Sequence, residues 1–256
     1  MMRPFSRAAA RLIYPLVKGR RDGLRILCYH AVNDLLPDYM NVRVSNFEDQ
    51  MAWLASEGYT TVSLDTLFDE RGKGDMDWGK RVVITFDDGY RDNYENAFPV
   101  MLKYGFTGAI FCVSGKIGTD PYLDRAQILE MQKAGFSFGS HTVTHPRLSQ
   151  TAPEVRKAEF RDSKKVLEEL LGSEVSYFCY PYGIYEEACF NELKEAGYRA
   201  AVSNTPGANR PGQIANPYTL CRTEIGGFDT LEDFKLKTAG AFDLLHGLLH
   251  KVRGRP

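Results

Sequence analysis

An α/β fold, with parallel strands inside and helices outside, is what the sequence predicts, on three observations. Arg81-Val82-Val83-Ile84-Thr85-Phe86 is a β-branched and aromatic run, the pattern of a strand covered on both faces as in a parallel sheet. Strand-like and helix-like segments alternate along residues 24–224, the order of repeated strand–helix–strand units. Residues equipped for chemistry fall just past strand-like runs: Asp87 and Asp88, His141 and His145, and Tyr182. With 256 residues, 43% of them hydrophobic, the chain can bury the core of an α/β barrel as one domain.

Residues 1–21 carry Arg3, Arg7, Arg11, Lys18, Arg20 and Arg21 among apolar residues, with no acid. Arg11 divides the one apolar stretch, and a secretory signal needs an unbroken run of roughly 7–15 residues, so no signal peptide is expected. The segment reads as a basic amphipathic leader (1–23) that either lies on an anionic bilayer surface or packs on the barrel. Residues 24–30 form a first strand that delivers His30 at its end, and 33–43 a loop beside it. Ser45 with Glu48 reads as a capping box for a helix through Phe47, Met51, Trp53 and Leu54 that stops at Gly58.

A short strand (59–63), a helical turn (65–70) and a loop through Gly72 and Gly74 lead to the central strand. After it come a helix over 91–104 kinked by Pro99, a strand over 107–113 and a helix over 123–133 begun by Asp124. Thr151 is the expected cap, and Gly172 the stop, of a long charged helix. Strands over 175–179 and 198–203 flank a helix over 186–196, and 205–217 is a Gly-, Asn- and Pro-rich surface loop. Residues 220–224 form a short strand containing Arg222. The expected organisation is a leader (1–23), a barrel (24–228), and a C-terminal amphipathic helix with a basic tail (229–256).

Adjacent Asp87 and Asp88 repel in a closed pocket unless a cation or hydrogen-bond donors hold both ionised. His141 and His145, four residues apart as on one helical turn, can face a single ion, and with one carboxylate they form an Asp-His-His set with open positions. The second Asp is then free to take a proton. Read separately, an Asp-Asp-Gly is also a helix-capping turn and a His pair also a hydrogen-bonded pair.

Taken jointly, Thr85-Phe86-Asp87-Asp88-Gly89, Ser140-His141-Thr142-Val143-Thr144-His145 and Tyr180-Pro181-Tyr182-Gly183 resemble, in order and spacing, the first three motifs of the polysaccharide deacetylases, carbohydrate esterase family four. Tyr29-His30 is similar to the subgroup of poly-N-acetylglucosamine deacetylases, which has a Tyr-His after its first strand. The resemblance implies an irregular (β/α) barrel with fewer than eight regular strands. It implies a divalent ion on Asp88, His141 and His145, zinc foremost, with cobalt, nickel, iron or manganese as alternatives. It also implies Asp87 as base, Arg222 orienting it, the Tyr182 backbone N–H at the oxyanion and His30 as general acid. Leu244-Leu245-His246 resembles the C-terminal Leu-His motif that supplies the acid elsewhere in the family, but lies in a helical pattern, so His30 is preferred. Where many members carry an arginine before Pro-Tyr-Gly, this chain has Phe178-Cys179-Tyr180, as that subgroup does.

The implied function is removal of N-acetyl groups from amino sugars of a polysaccharide, oligosaccharide or lipid-linked glycan. The alternatives are a catalytically weakened sugar-binding or scaffolding protein of envelope assembly, and a hydrolase of a non-sugar amide. A formal net charge of −1 gives no reason to expect a nucleic-acid partner. The five cysteines form no CxxC pair, and three of them, Cys28, Cys112 and Cys179, sit in apolar strand-like runs as small core residues, which fits a reducing cytoplasm. The expected location is cytoplasmic, peripheral to the inner membrane face through the basic ends.

Overall fold

The structure, a computed structural model, describes residues 4–17, 23–35, 38–69, 78, 80–210 and 214–243. Seven parallel strands form its sheet in the order β10-β1-β5-β6-β7-β8-β9: β1 (Arg25–Tyr29), β5 (Arg81–Phe86), β6 (Ala109–Cys112), β7 (Ser137–Ser140), β8 (Tyr177–Cys179), β9 (Ala200–Val202) and β10 (Thr223–Glu224). An eighth, β4 (Thr60–Thr61), pairs with the start of β5, whereas β6 pairs with its end. Leu220 bridges in parallel to Val202 on β9, and Thr223 and Glu224 pair with Leu27 and Cys28 on β1, so one short segment joins the two edges of the sheet. The expected irregular barrel with few regular strands is what the chain forms.

Alternation along each strand divides the core in two. Ile26, Val83, Phe111, Tyr177, Ala200, Val202 and Leu220 meet in one cluster within the ring. Leu27, Tyr29, Ile84, Phe86, Ile110 and Phe178 belong to a larger cluster that also takes in the helices. Because side chains of a strand share a face at every second residue, Val83 puts Thr85 and then Asp87 on its own inner face, and Ile26 does the same for Cys28 and His30. Both predicted catalytic groups therefore emerge at the carboxyl end of the barrel.

Inner packing is close at Gly139 on β7: a Cβ there would lie 2.5 Å from the Phe111 ring and 2.9 Å from the Tyr177 carbonyl oxygen. Gly139→Ala should cost about 1–3 kcal/mol by overpacking, since the backbone oxygen cannot swing aside. A lowered denaturant midpoint at unchanged m-value would register it.

The helices follow the sequence with local corrections. Helix α2 (Val44–Ser56) starts one residue before Ser45, with Arg43 at the N-cap and no side-chain cap; the Val44 N–H instead donates to Asp34 Oδ1 (3.3 Å), and Glu48 pairs with Lys103. The loop around it is not structureless, because β2 (Ala31–Val32) and β3 (Asn41–Val42) pair in parallel. After the short α3 (Asp65–Asp69), the helix expected over 91–104 is a π-helical turn, Asn93–Ala97, running into α4 (Phe98–Lys103), and Pro99 stands in the first turn of α4, where its missing N–H costs nothing. Asp124 caps α5 (Arg125–Lys133) in a capping box with Gln127. Ala152, not Thr151, is the N-cap of α6 (Pro153–Leu171), because the Thr151 hydroxyl donates to the Arg147 carbonyl; Gly172 ends the helix in the left-handed conformation. Helices α7 (Ala188–Glu195) and α8 (Leu231–Thr238) complete the set, after α1 (Pro4–Val17) at the start.

Helix α1 lays Ala10 and Val17 on Leu236, Ala241 and Phe242, and pairs Arg7 with Asp233 (2.8 Å) and Arg11 with Glu232, while Leu12 and Leu16 stay exposed. The loop at Gly72 and Gly74, His246 and the basic C-terminal tail lie outside the described residues. Among the described residues no helix is long and apolar enough to cross a membrane.

Candidate active site

Asp87 and Asp88 follow directly on β5 but have different surroundings. Asp87 continues the strand, its N–H donating to the Tyr29 carbonyl (2.9 Å), so its side chain points inward and is 2% exposed. Asp88 adopts φ 70° and Gly89 φ 74°, a turn that swings the second carboxylate outward to the mouth. One backbone reversal thus separates two adjacent acids into a buried and an accessible one.

The buried one is held by Arg222. Its Nη1 and Nη2 donate to Asp87 Oδ1 (2.6 Å) and Oδ2 (2.7 Å), Nε donates to the Ser203 carbonyl (2.9 Å), and Nη2 also reaches Asn204 Oδ1 (2.7 Å). Burial alone would raise the Asp87 pKa, but the paired guanidinium outweighs it and holds the carboxyl well below the usual range. Cys28 and Cys179 flank Oδ2 at 3.6 and 3.4 Å, and burial pushes both thiols up, so they stand there as neutral SH groups.

His141 follows β7, but the expected one-turn helical spacing to His145 is not helical. Thr142 and His145 both have positive φ (69° and 62°), and the two rings meet across a tight loop with centroids 4.8 Å apart. His141 Nδ1–H donates to the Cys179 carbonyl (2.8 Å), which leaves Nε2 with a free lone pair. Asp88 Oδ1 lies 3.6 Å from His141 Nε2 and 3.4 Å from His145 Nε2. Bonds of roughly 2.0–2.2 Å around a tetrahedral ion place ligand atoms about 3.4 Å apart; both separations from Asp88 are close to that, and the three ligand atoms lie within 4.8 Å of one another, so the residues can share one divalent ion. Burial, and then the neighbouring His141, push His145 down to about 4, so it stands neutral with its lone pair available.

His30, just past β1, is buried, with Nε2 3.8 Å from Asp87 Oδ2. Burial lowers its pKa against the opposing pull of Asp87 and Asp88, so the imidazole rests neutral. Asn93 in the π-turn donates from Nδ2 to the His30 carbonyl (2.8 Å). Tyr182 sits in left-handed backbone (φ 60°), its half-exposed ring beside His145 (centroids 4.7 Å) and under the Arg147 guanidinium (4.3 Å). The structure therefore brings together Asp87, Asp88, His141, His145, His30, Arg222 and Tyr182 at one end of the barrel.

Sequence reasoning missed Asn93, whose buried polar side chain had no periodic signal, and the two thiols, which it read only as core. It missed Glu159 as well, hidden among the charges of α6.

A parallel barrel with an Asp-His-His set at its mouth and an arginine-held acid beneath defines a metal-assisted hydrolase. The family model described as polysaccharide deacetylase matches residues 75–201. YxkH of Bacillus subtilis, which carries a polysaccharide deacetylase designation, is 35% identical over 79% of this chain and 71% of its own. The poly-beta-1,6-N-acetyl-D-glucosamine N-deacetylase of Staphylococcus aureus is 27% identical over 72% of this chain and 68% of its own. Among solved structures, the Streptococcus pyogenes deacetylase PplD, determined with acetate, superposes with a TM-score of 0.78 at 26% identity, covering 86% of this chain and 99% of that one. The chain belongs to the polysaccharide deacetylase family. The expectations of a metal-dependent N-deacetylating hydrolase and of a (β/α) barrel hold at the level of family and fold.

Proposed function

We propose that this chain removes N-acetyl groups from amino sugars of a polysaccharide, oligosaccharide or lipid-linked glycan. The observation that carries this is the convergence of Asp88 Oδ1 with Nε2 of His141 and His145, beside Asp87 and His30 at 3.8 Å from one another. The N-deacetylase relatives support an acetylated glycan as substrate. Asp88, His141 and His145 would hold one divalent ion, zinc first among those that suit two imidazoles and a carboxylate, with cobalt, nickel, iron and manganese as outcomes of elemental analysis. Such an ion supplies a Lewis acid for the acetyl carbonyl and a water of lowered pKa.

Asp87 Oδ2 takes the proton released as water adds to the carbonyl. Arg222 keeps Asp87 in its accepting form at a cost in basicity, so the proton does not rest there. It passes to His30 Nε2, whose charged form both carboxylates favour. The Tyr182 backbone N–H donates to the developing oxyanion, and His30 protonates the amine as the C–N bond breaks, leaving acetate and the free amino sugar.

Acetate release from N-acetylglucosamine oligomers, with and without chelator, tests the reading. Release that survives chelation sinks the metal assignment. No release from any acetylated glycan by the metal-loaded chain favours the weakened binder. His30→Ala is expected to lose about 10²–10⁴-fold in kcat, as for a lost general acid, while His246→Ala stays near the parent; the reverse result would move the acid to the C-terminal segment.

For location we propose the cytoplasmic side, with peripheral membrane contact. Exposed Leu12 and Leu16 on α1 lie in a segment that also carries Arg3, Lys18, Arg20 and Arg21. Co-sedimentation with anionic but not neutral vesicles, lost in Leu12→Ser/Leu16→Ser, is the expected result; a protein that never sediments removes the contact.

A further inference from the structure

The loop between the two histidines is short, strained and almost fully accounted for in hydrogen bonds. Thr142 is β-branched at φ 69° and His145 stands at φ 62°, conformations that persist only where surroundings impose them. The outward carbonyls are taken first: Thr142 O accepts from Ser114 N–H (3.0 Å) and from the Ser163 hydroxyl (3.0 Å), and Val143 O accepts from Gly115 N–H (3.0 Å). The His145 N–H donates to Thr142 Oγ1 (2.9 Å).

The Thr142 N–H donates to the Ser140 hydroxyl (3.3 Å), and the last two amides converge on one side chain. Glu159 Oε2 accepts from Val143 N–H (2.7 Å) and Thr144 N–H (2.9 Å), and its Oε1 accepts from the Thr144 hydroxyl (2.7 Å). Glu159 is 8% exposed, and on α6 it stands four residues before Ser163, so one helix face grips both ends of the loop. Without that carboxylate the two N–H groups of this partly buried loop would lose their protein partner to solvent, and the left-handed residues on either side of them would be less firmly held.

We propose that Glu159 is a positioning residue for the metal site, holding the loop so that His145 Nε2 stays 3.4 Å from Asp88 Oδ1. This rests on the metal reading of Asp88, His141 and His145. His141 has a second anchor in the Cys179 carbonyl, so His145 is the ligand that depends on Glu159. Losing a partner that orients a ligand typically weakens metal affinity about 10–100-fold. In Glu159→Gln the amide oxygen can still accept both N–H groups and the Thr144 hydroxyl can turn to accept from the amide, so most of the affinity should return.

The test is the zinc dissociation constant of the full chain, measured by chelator competition, together with the Tm of the metal-free protein. Glu192→Ala serves as control, because it breaks the buried pair with Arg156 (2.6 Å), elsewhere on α6, without touching the loop. Expected are a zinc affinity about 10–100-fold weaker in Glu159→Ala, near-parental affinity in Glu159→Gln, and a lowered Tm with parental affinity in Glu192→Ala. Activity of Glu159→Ala should return when zinc is raised in proportion. Parental affinity in Glu159→Ala, or equal weakening in Glu192→Ala, overturns the proposal. If Glu159→Ala does not fold, Thr144→Val, which deletes one of the three contacts, should weaken zinc binding measurably, and parental affinity there overturns it too. A parent chain that binds no zinc or other divalent ion instead refutes the underlying site.

Discussion

Arg222→Met is expected to destabilise the protein by about 3–5 kcal/mol at neutral pH, because it leaves a buried carboxylate without its cation. In the parent, the Asp87 pKa is depressed on folding. Its contribution to stability is therefore complete above the unfolded value of about 4 and is lost only as pH falls below it. Without Arg222, burial dominates and the Asp87 pKa rises above its unfolded value. The linkage then reverses: the variant gains stability as pH is lowered toward about 4 and loses it as pH rises through the new, higher pKa. Denaturant midpoints of both chains between pH 5 and 8 check this, and a variant whose stability follows the parent's pH trend would show that Arg222 is not what keeps Asp87 ionised. Acetate release should fall with it by about 10²–10⁴-fold at any pH where the chain is folded, since a base that is protonated or misaimed no longer takes the proton.

Removing the metal set should have the larger effect on catalysis and the smaller on the fold. His145→Ala, or chelation of the parent, is expected to lower acetate release at least about a thousandfold, the rate equivalent of losing several kcal/mol of carbonyl polarisation. The barrel should survive, because its two core clusters are built from residues other than these three ligands. Zinc at a hundred times its dissociation constant should stabilise the parent by about 2.7 kcal/mol, and a chain of this size then melts roughly 5–10 °C higher. His145→Ala should show little of that rise. A full zinc-dependent shift in His145→Ala would mean that the ion sits elsewhere in the molecule.

The two variants probe the two carboxylates separately, and the difference between those carboxylates is one the chain order hides. Asp87 and Asp88 are neighbours of identical type, and either could have been the ligand on composition alone. The position of Asp87 at a strand end was legible; its inward side chain, on the face of Val83, and the φ of 70° at Asp88, which turns the other acid to the mouth, were not. The His pair was legible as a pair but misread in its geometry. A spacing of four suits a helix, yet the preceding strand and the Glu159 contacts impose a loop with two left-handed residues.

What the sequence by itself determined is the alternation of strands and helices, the placing of Asp87 and His30 at strand ends, and the three motifs that mark the family. These depend on local patterning, which survives without knowledge of what lies across the barrel. The resemblance already implied the Arg222–Asp87 pair and the Asp88, His141 and His145 set; the tertiary structure supplied their geometry and the contacts around them. Arg222 stands 135 positions after Asp87 and meets it because the 220–224 segment closes the ring; Glu159, Asn93 and the two thiols act through contacts between elements distant in the chain. The physical reason is that hydrogen bonds and ion pairs fall off within a few ångströms, so a side chain's partner is set by where the folded elements lie.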